Sequence, residues 1–133
     1  MFTLTLVTPE KKLITNLEVD EVLVPGFRGE LNILPGHAPL MTTLHAGILR
    51  YRKKGATDFG KASISWGYCE VNPTGIKVLA DTAELPSEID KHRAEKAFKE
   101  AQDRLMMANI PVEEMTRLQR KIQRAQARLE LMD

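Results

Sequence analysis

The residues able to do chemistry in this chain are few and poorly spaced for it. Its three histidines are His37, His45 and His92, and its one cysteine is Cys69. No His-x-x-x-His or Cys-x-x-Cys spacing occurs, so a structural zinc site is not encoded. Cys69 would need a histidine partner to act as a nucleophile. It lies instead in the strand pattern Tyr68-Cys69-Glu70-Val71, where burial raises a thiol's pKa and makes it inert. The chain has no Gly-x-Ser-x-Gly elbow and no Gly-x-x-x-x-Gly-Lys loop. The carboxylate pairs Asp20-Glu21 and Glu113-Glu114 are adjacent, which points their members to different faces of a strand or helix. General acid–base work needs convergence, so both pairs read as solvated surface. The sequence therefore predicts no catalytic residue and no metal site.

One dense run of charge remains. Between Met115 and Leu129 stand Arg117, Arg120, Lys121, Arg124 and Arg128, with no acidic residue among them. Taken alone, such a run is the solvated face of a helix. The elements that would position it fall into two halves of different period. All eight glycines lie at or before Gly75, and the only prolines beyond residue 84 are Pro86 and Pro111. This shift in chain breakers places a boundary near residue 84, giving units at 1–84 and 85–133.

The first unit shows short alternating segments, clearest at 2–8, 19–24, 48–52, 62–66 and 76–80. Turn residues fall between them at Pro25-Gly26, Lys54-Gly55, Asn72-Pro73 and Thr74-Gly75. Short strands with no helical stretch between them predict an antiparallel sandwich or barrel. Thr3, Thr5, Arg50 and Arg52 would face water or a partner.

The second unit changes to helical spacing. Ala94, Ala97, Phe98, Ala101 and Leu105 recur at threes and fours, as do Val112, Met115, Leu118, Ile122, Ala125, Leu129 and Met132. Ser87 suits an N-cap, with Asp90 at the reach-back position. Glu88 and Asp90 favour the positive end of the helix dipole, and Pro111 suits a first helical turn. The short linker 107–110 makes the helices antiparallel neighbours. Each narrow apolar stripe would then cover the other and leave little to hold the hairpin on the first unit.

Composition bounds the partners. Hydrophobic residues make up 43% of 133, enough for a core, and the net charge is +1, too small for a protein living on nucleic-acid phosphates. A single cysteine excludes an intramolecular disulfide. The N-terminus runs straight into Phe2-Thr3-Leu4-Thr5-Leu6, which predicts no signal peptide. No apolar run approaches the roughly 18–20 residues that span a bilayer, so membrane association is expected only through a partner.

One segment is not generic: Gly26-x-x-Gly29-Glu30-Leu31-x-Ile33-Leu34-Pro35-Gly36-His37-Ala38-Pro39-Leu40. Gly26 and Gly29, three apart, suit a tight turn with positive φ, and Pro35-Gly36 a second turn. In order and spacing this run resembles the epsilon subunit of F-type ATP synthases, bacterial type. Trp66-Gly67-Tyr68-Cys69-Glu70-Val71 is similar to a second family segment, although Trp66 stands where the family has the first of two glycines. Val78-Leu79-Ala80-Asp81-Thr82-Ala83-Glu84 is a third match, and the resemblance extends over the whole chain.

The resemblance implies a ten-stranded β-sandwich, built as two five-stranded sheets, followed by an antiparallel two-helix hairpin. It implies a non-catalytic central-stalk subunit that couples rotation to proton-driven ATP synthesis and restrains ATP hydrolysis through the hairpin. Its partners would be the gamma subunit, the c ring and the alpha/beta catalytic head. The complex would sit on the cytoplasmic face of the cell inner membrane. Glu30, Gly36, His37, Ala38 and Pro39 match the region facing the c ring and gamma. Arg117, Arg120, Lys121, Arg124 and Arg128 would meet acidic segments of beta when the helix extends, since arginine forks bind carboxylates at two points.

Ile89-Asp90-Lys91-His92-Arg93-Ala94 resembles a further family motif, the ATP site of some bacterial epsilon subunits. No cofactor would be required, but ATP would act as a regulatory ligand that favours the folded-down hairpin. Carried over by position, Glu84, Ile89, Asp90, Arg93 and Ala94 would form one part of that site and Arg124 and Arg128 the phosphate contacts. Glu100 stands where the nucleotide-binding relatives have an arginine, and a carboxylate there repels phosphate. Without ATP, Asp90 would simply cap its helix.

Overall fold

Alternation acts as expected in the first strand, β1 (Thr3–Val7): Leu4 and Leu6 are fully buried while Thr3 and Thr5 point outward. The computed structural model describes residues 1–107 and 109–132. Six more strands follow: β2 (Lys12–Gly26), β3 (Gly29–Ile33), β4 (Leu40–Leu44), β5 (Gly47–Lys53), β6 (Phe59–Asn72) and β7 (Gly75–Glu84). A single 3₁₀ turn, Pro86–Glu88, leads into α1 (Lys91–Leu105) and α2 (Val112–Met132).

Strand β1 pairs antiparallel with β2 and parallel with β7. Pairing then runs from β7 to β6, from β6 to β5 and from β5 back to β2, which closes a hydrogen-bonded circuit. Flattened, that circuit is a sandwich filled by Leu4, Leu6, Val22, Val24, Ile33, Leu49, Ile64, Cys69 and Val78, each under 2% exposed. Strand β3 lies at the end of the strand order, on β2.

Among the described residues, seven strands, not ten, make up this sandwich. The difference is one of continuity. Strand β2 pairs with β1 over its first half and with β5 and β3 over its second. Strand β6 pairs first with β5 and then with β4. Each long strand bends through both layers and serves as two. The bend in β6 falls at Trp66 and Gly67, with φ of 42° and 141°. Opposite it on the facing ladder, His45 and Ala46 separate β4 from β5.

Three local expectations are corrected. Pro25 and Gly26 belong to β2, and the turn falls at Phe27-Arg28, so of the two spaced glycines only Gly29 has positive φ, at 125°. Ser87 is not an N-cap. It lies in the 3₁₀ turn, and Asp90 caps α1 by accepting from Arg93 N at 3.1 Å. An irregularity at Asp20 in the β2–β5 ladder brings both adjacent carboxylates to one guanidinium. Arg52 donates to Asp20 Oδ2 and to Glu21 Oε1, each at 3.5 Å.

The helices are antiparallel neighbours. Leu118 and Ala125 of α2 belong to one apolar stripe and Ala127 and Leu131 to another, roughly opposite on a helix of about 3.6 residues per turn. The first stripe carries the spacing that meets α1. Gln123, Gln126 and Ala127 face His45, Ala46 and Gly47 of the sandwich across a narrow cleft. Ala127 and Leu131 thus give α2 a small apolar surface toward the sandwich, on the side away from the stripe that meets α1. Among the described residues no helix is long and apolar enough to cross a membrane.

Candidate functional site

The junction between the end of β7, the 3₁₀ turn and the two helices holds a groove of about 530 Å³. Local chemistry shapes its floor. Glu88 accepts from the Leu85 backbone N–H at 3.1 Å and closes the turn, while its other oxygen takes the Lys11 ammonium from the β1–β2 connection. The Lys11 bond first, and the Leu85 N–H after it, hold the Glu88 carboxyl below the ordinary carboxylate range. Asp90 then starts α1 and fixes the groove's far wall.

Six of the seven residues assigned by resemblance to a nucleotide site line this groove: Glu84, Ile89, Asp90, Arg93, Ala94 and Arg128. Arg124 does not, although it shares α2 with Arg128. Two are already engaged with each other, since Arg128 Nε donates to Glu84 Oε1 at 2.5 Å. Lys96 and Lys121, which sequence reasoning did not assign to this site, line the groove as well. With Arg93 they make no ion pair among the described residues. Glu88 and Glu100 face the same space, so the lining is mixed in charge. A polyanion there would meet Arg93, Lys96 and Lys121 and be repelled by Glu100.

The basic run of α2 is dispersed by its helical phase. Arg117 is exposed near the hairpin turn, Lys121 and Arg128 face the groove, and Arg124 is half-buried. Arg120 stands about a quarter-turn away from Lys121 and Arg128, and its guanidinium lies over the Trp66 ring, 4.5 Å from the centroid. No periodicity signals that contact. The only hint in the sequence is a bulky aromatic directly before Gly67 in a strand pattern. At the hairpin turn Arg104 Nε donates to Glu114 Oε1 at 2.8 Å. This bond lowers the Glu114 pKa and raises that of Arg104.

The residues assigned to the c-ring and gamma side lie along the edge strand. Glu30 stands near the start of β3, exposed and bonded to Arg50 at 3.2 Å. Gly36, His37, Ala38 and Pro39 follow the strand's far end in a loop where His37 N donates to Leu34 O at 3.0 Å. The two parts are therefore at opposite ends of β3 rather than in one cluster. Around Glu30 the surface is apolar, with Phe27 63% and Met41 65% exposed beside a groove of about 510 Å³. Among the described residues no group of histidine, cysteine and carboxylates could hold a metal ion.

Two family profiles match the chain end to end. The ATP synthase delta/epsilon chain β-sandwich domain matches residues 1–86 and the delta/epsilon chain long α-helix domain residues 87–132. An ATP synthase epsilon chain of Bdellovibrio bacteriovorus is 46% identical over 127 residues, 96% of this chain and 91% of the relative. That of Carboxydothermus hydrogenoformans is 47% identical over 102 residues, 77% and 74%. Among solved structures, a chain of the Euglena gracilis mitochondrial ATP synthase superposes with a TM-score of 0.84 at 22% identity, covering 97% of this chain and 79% of that one. A chain of the Tetrahymena thermophila mitochondrial ATP synthase central stalk and c ring superposes at 0.64 with 13% identity. At those identities the likeness is one of fold.

Proposed function

Since this chain belongs to the ATP synthase delta/epsilon family, matched over both its units in order, we propose that it works as the epsilon subunit in the central stalk of an F-type ATP synthase. It is a non-catalytic subunit. The sandwich docks on the gamma subunit and the c ring, and the hairpin restrains ATP hydrolysis by the alpha/beta head. The complex carrying it is peripheral to the membrane, on the cytoplasmic face of the cell inner membrane.

One observation carries the hairpin half of this reading. The helix pair is joined to the sandwich by Arg128 to Glu84, by Arg120 to Trp66, and by a small stripe including Ala127 and Leu131. An attachment of that kind can be exchanged for another without unfolding the sandwich. The basic residues of α2, released with the helix, would then meet carboxylates of the head. Individually such pairs contribute roughly 0–1 kcal/mol, so several must act together.

The test is reconstitution with gamma and the catalytic head. Replacing Arg117, Lys121 and Arg124 together by glutamine is expected to leave gamma copurification unchanged and to raise ATP hydrolysis by the assembly. Loss of copurification with gamma by the unaltered chain would sink the stalk reading. Unchanged hydrolysis in the triple variant would sink the inhibitory one.

A second reading is favoured by the groove at the junction. Its lining by Arg93, Lys121 and Arg128, drawn from both helices, supports a hairpin held compact by bound ATP. A ligand bridging the two helices and β7 binds the compact form alone and shifts the population by its differential affinity. Calorimetric titration of the chain with ATP is expected to show saturable heat that Arg93→Ala abolishes. No heat up to millimolar ATP removes this reading.

A further inference from the structure

Trp66 is held in a conformation that a bulky residue avoids. Its φ is 42°, in the left-handed region, where the Cβ of a non-glycine residue crowds its own backbone. The position is at the bend of β6, where the strand passes from pairing with β5 to pairing with β4, and the β6–β7 pairing skips it. A strained residue that persists in a well-paired strand points to a use for its side chain. That side chain is the chain's single tryptophan, and it stands out from the sandwich under Arg120 of α2. Tryptophan gives the strongest ring quadrupole for holding a guanidinium, and the separation of 4.5 Å is within the range of about 6 Å over which the attraction acts.

We infer that Trp66 and Arg120 form a latch that sets how readily the helical hairpin leaves the sandwich. The latch sits on the face of α2 that carries Ala127 and Leu131, and the Arg128–Glu84 bond lies roughly 80° from it around the helix. Together they clamp the helix at two places about 12 Å apart along its axis. The two clamps differ in kind. The Arg128–Glu84 pair is bridged by a direct hydrogen bond and is half-buried, whereas Arg120 is exposed and meets only the face of a ring. Arg120 is also one of the basic residues assigned to the extended hairpin, so seating it on Trp66 withdraws a charge from any acidic partner until the hairpin is released. This inference rests on the proposal that the hairpin moves as a unit.

Backbone hydrogen exchange of the full chain tests it, comparing the unaltered protein with Trp66→Gly, Arg120→Gln and the double variant. Glycine accepts the left-handed φ freely, so Trp66→Gly is expected to leave the sandwich amides as protected as before, or more so. The α2 amides should exchange about two- to tenfold faster, as loss of an incompletely buried cation–π pair implies. Arg120→Gln is expected to do the same, Arg120→Lys to restore most of the protection, and the double variant to add nothing further. Unchanged α2 exchange in both single variants, or additive effects in the double, overturns the latch. If α2 and the sandwich exchange together at one rate in every variant, the hairpin does not leave as a unit, and the hairpin half of the proposed function falls with the latch. If α2 exchanges ahead of the sandwich but neither substitution alters it, only the latch falls.

Discussion

Arg128 of α2 donates through Nε to Oε1 of Glu84, the last residue of β7, at 2.5 Å. The bond fastens the C-terminal helix to the strand that ends the sandwich. Both side chains are about one-quarter to one-third exposed, so the pair is worth more than a free surface pair and less than a buried one. Arg128→Ala and Glu84→Gln are each expected to destabilise the docked hairpin by about 1 kcal/mol. The double variant should lose no more than the worse single. Urea unfolding followed by helical circular dichroism reads this, and full additivity of the two would show that the bond contributes nothing.

Gly67 and Gly29 both have positive φ, at 141° and 125°, but they differ in room. A Cβ on Gly67 would stand 2.0 Å from Leu79 O, whereas one on Gly29 meets nothing within 4 Å. Gly29→Ala is expected to cost only backbone strain, about 1–3 kcal/mol. Gly67→Ala must also part β6 from β7 and is expected to cost more than 4 kcal/mol, enough to prevent accumulation of folded protein. Equal melting temperatures for the two variants would contradict this.

The Glu88 carboxyl has a lowered pKa because Lys11 and the Leu85 N–H bind its charged form. A carboxyl lowered on folding contributes stability that is present above its unfolded value, about 4.3, and lost as pH falls through the folded value. The junction between sandwich and hairpin should therefore loosen only in acid, below the ordinary carboxylate range. Glu88→Gln is expected to flatten the acid limb of the hairpin's stability against pH while leaving the neutral region little changed in slope. An acid limb identical in both proteins would assign the loss to other carboxyls.

Burial pushes the Cys69 thiol up to about 12, with the Glu70 charge adding to it. The thiol stays protonated in the fold, so aromatic disulfide reagents at pH 8 should label it only at the rate of unfolding. Stability contributed by this group is complete below the unfolded thiol value of about 8.5 and falls as pH rises toward 12, by about 1.4 kcal/mol per unit. Rapid labelling of the native protein, insensitive to mild denaturant, would mean that the site opens locally.

Much of this arrangement is legible in the sequence. The alternation of Leu4 and Leu6, the helical stripes of α1 and α2, and the burial of Cys69 all follow from period and composition. The parts that are not legible have physical causes. The turn signals Pro25-Gly26 hide the end of β2, because a proline with an extended φ and a glycine without positive φ fit a strand as well as a turn. The segments of β3 and β4 lie between glycines and prolines and read as loops. Asp20 and Glu21 converge on Arg52 only because the ladder is irregular at Asp20, which alternation cannot anticipate. Six residues that line the groove are among the seven assigned from the resemblance. Lys96 and Lys121 could not be assigned, since their convergence depends on how the hairpin is set against β7.

The parallel pairing of β1 with β7 also decides the order of events when the chain folds. Thr3 meets Gly75, and Val7 meets Leu79, so the circuit of strands cannot close until nearly all of the sandwich sequence is available. Contacts so distant along the chain make for slow folding, while two helices joined by a short connection meet quickly. A hairpin that forms before its docking surface exists would seat on the sandwich as a ready-made piece. Under the proposed function, release of the hairpin would reverse that last step and leave the circuit of strands closed.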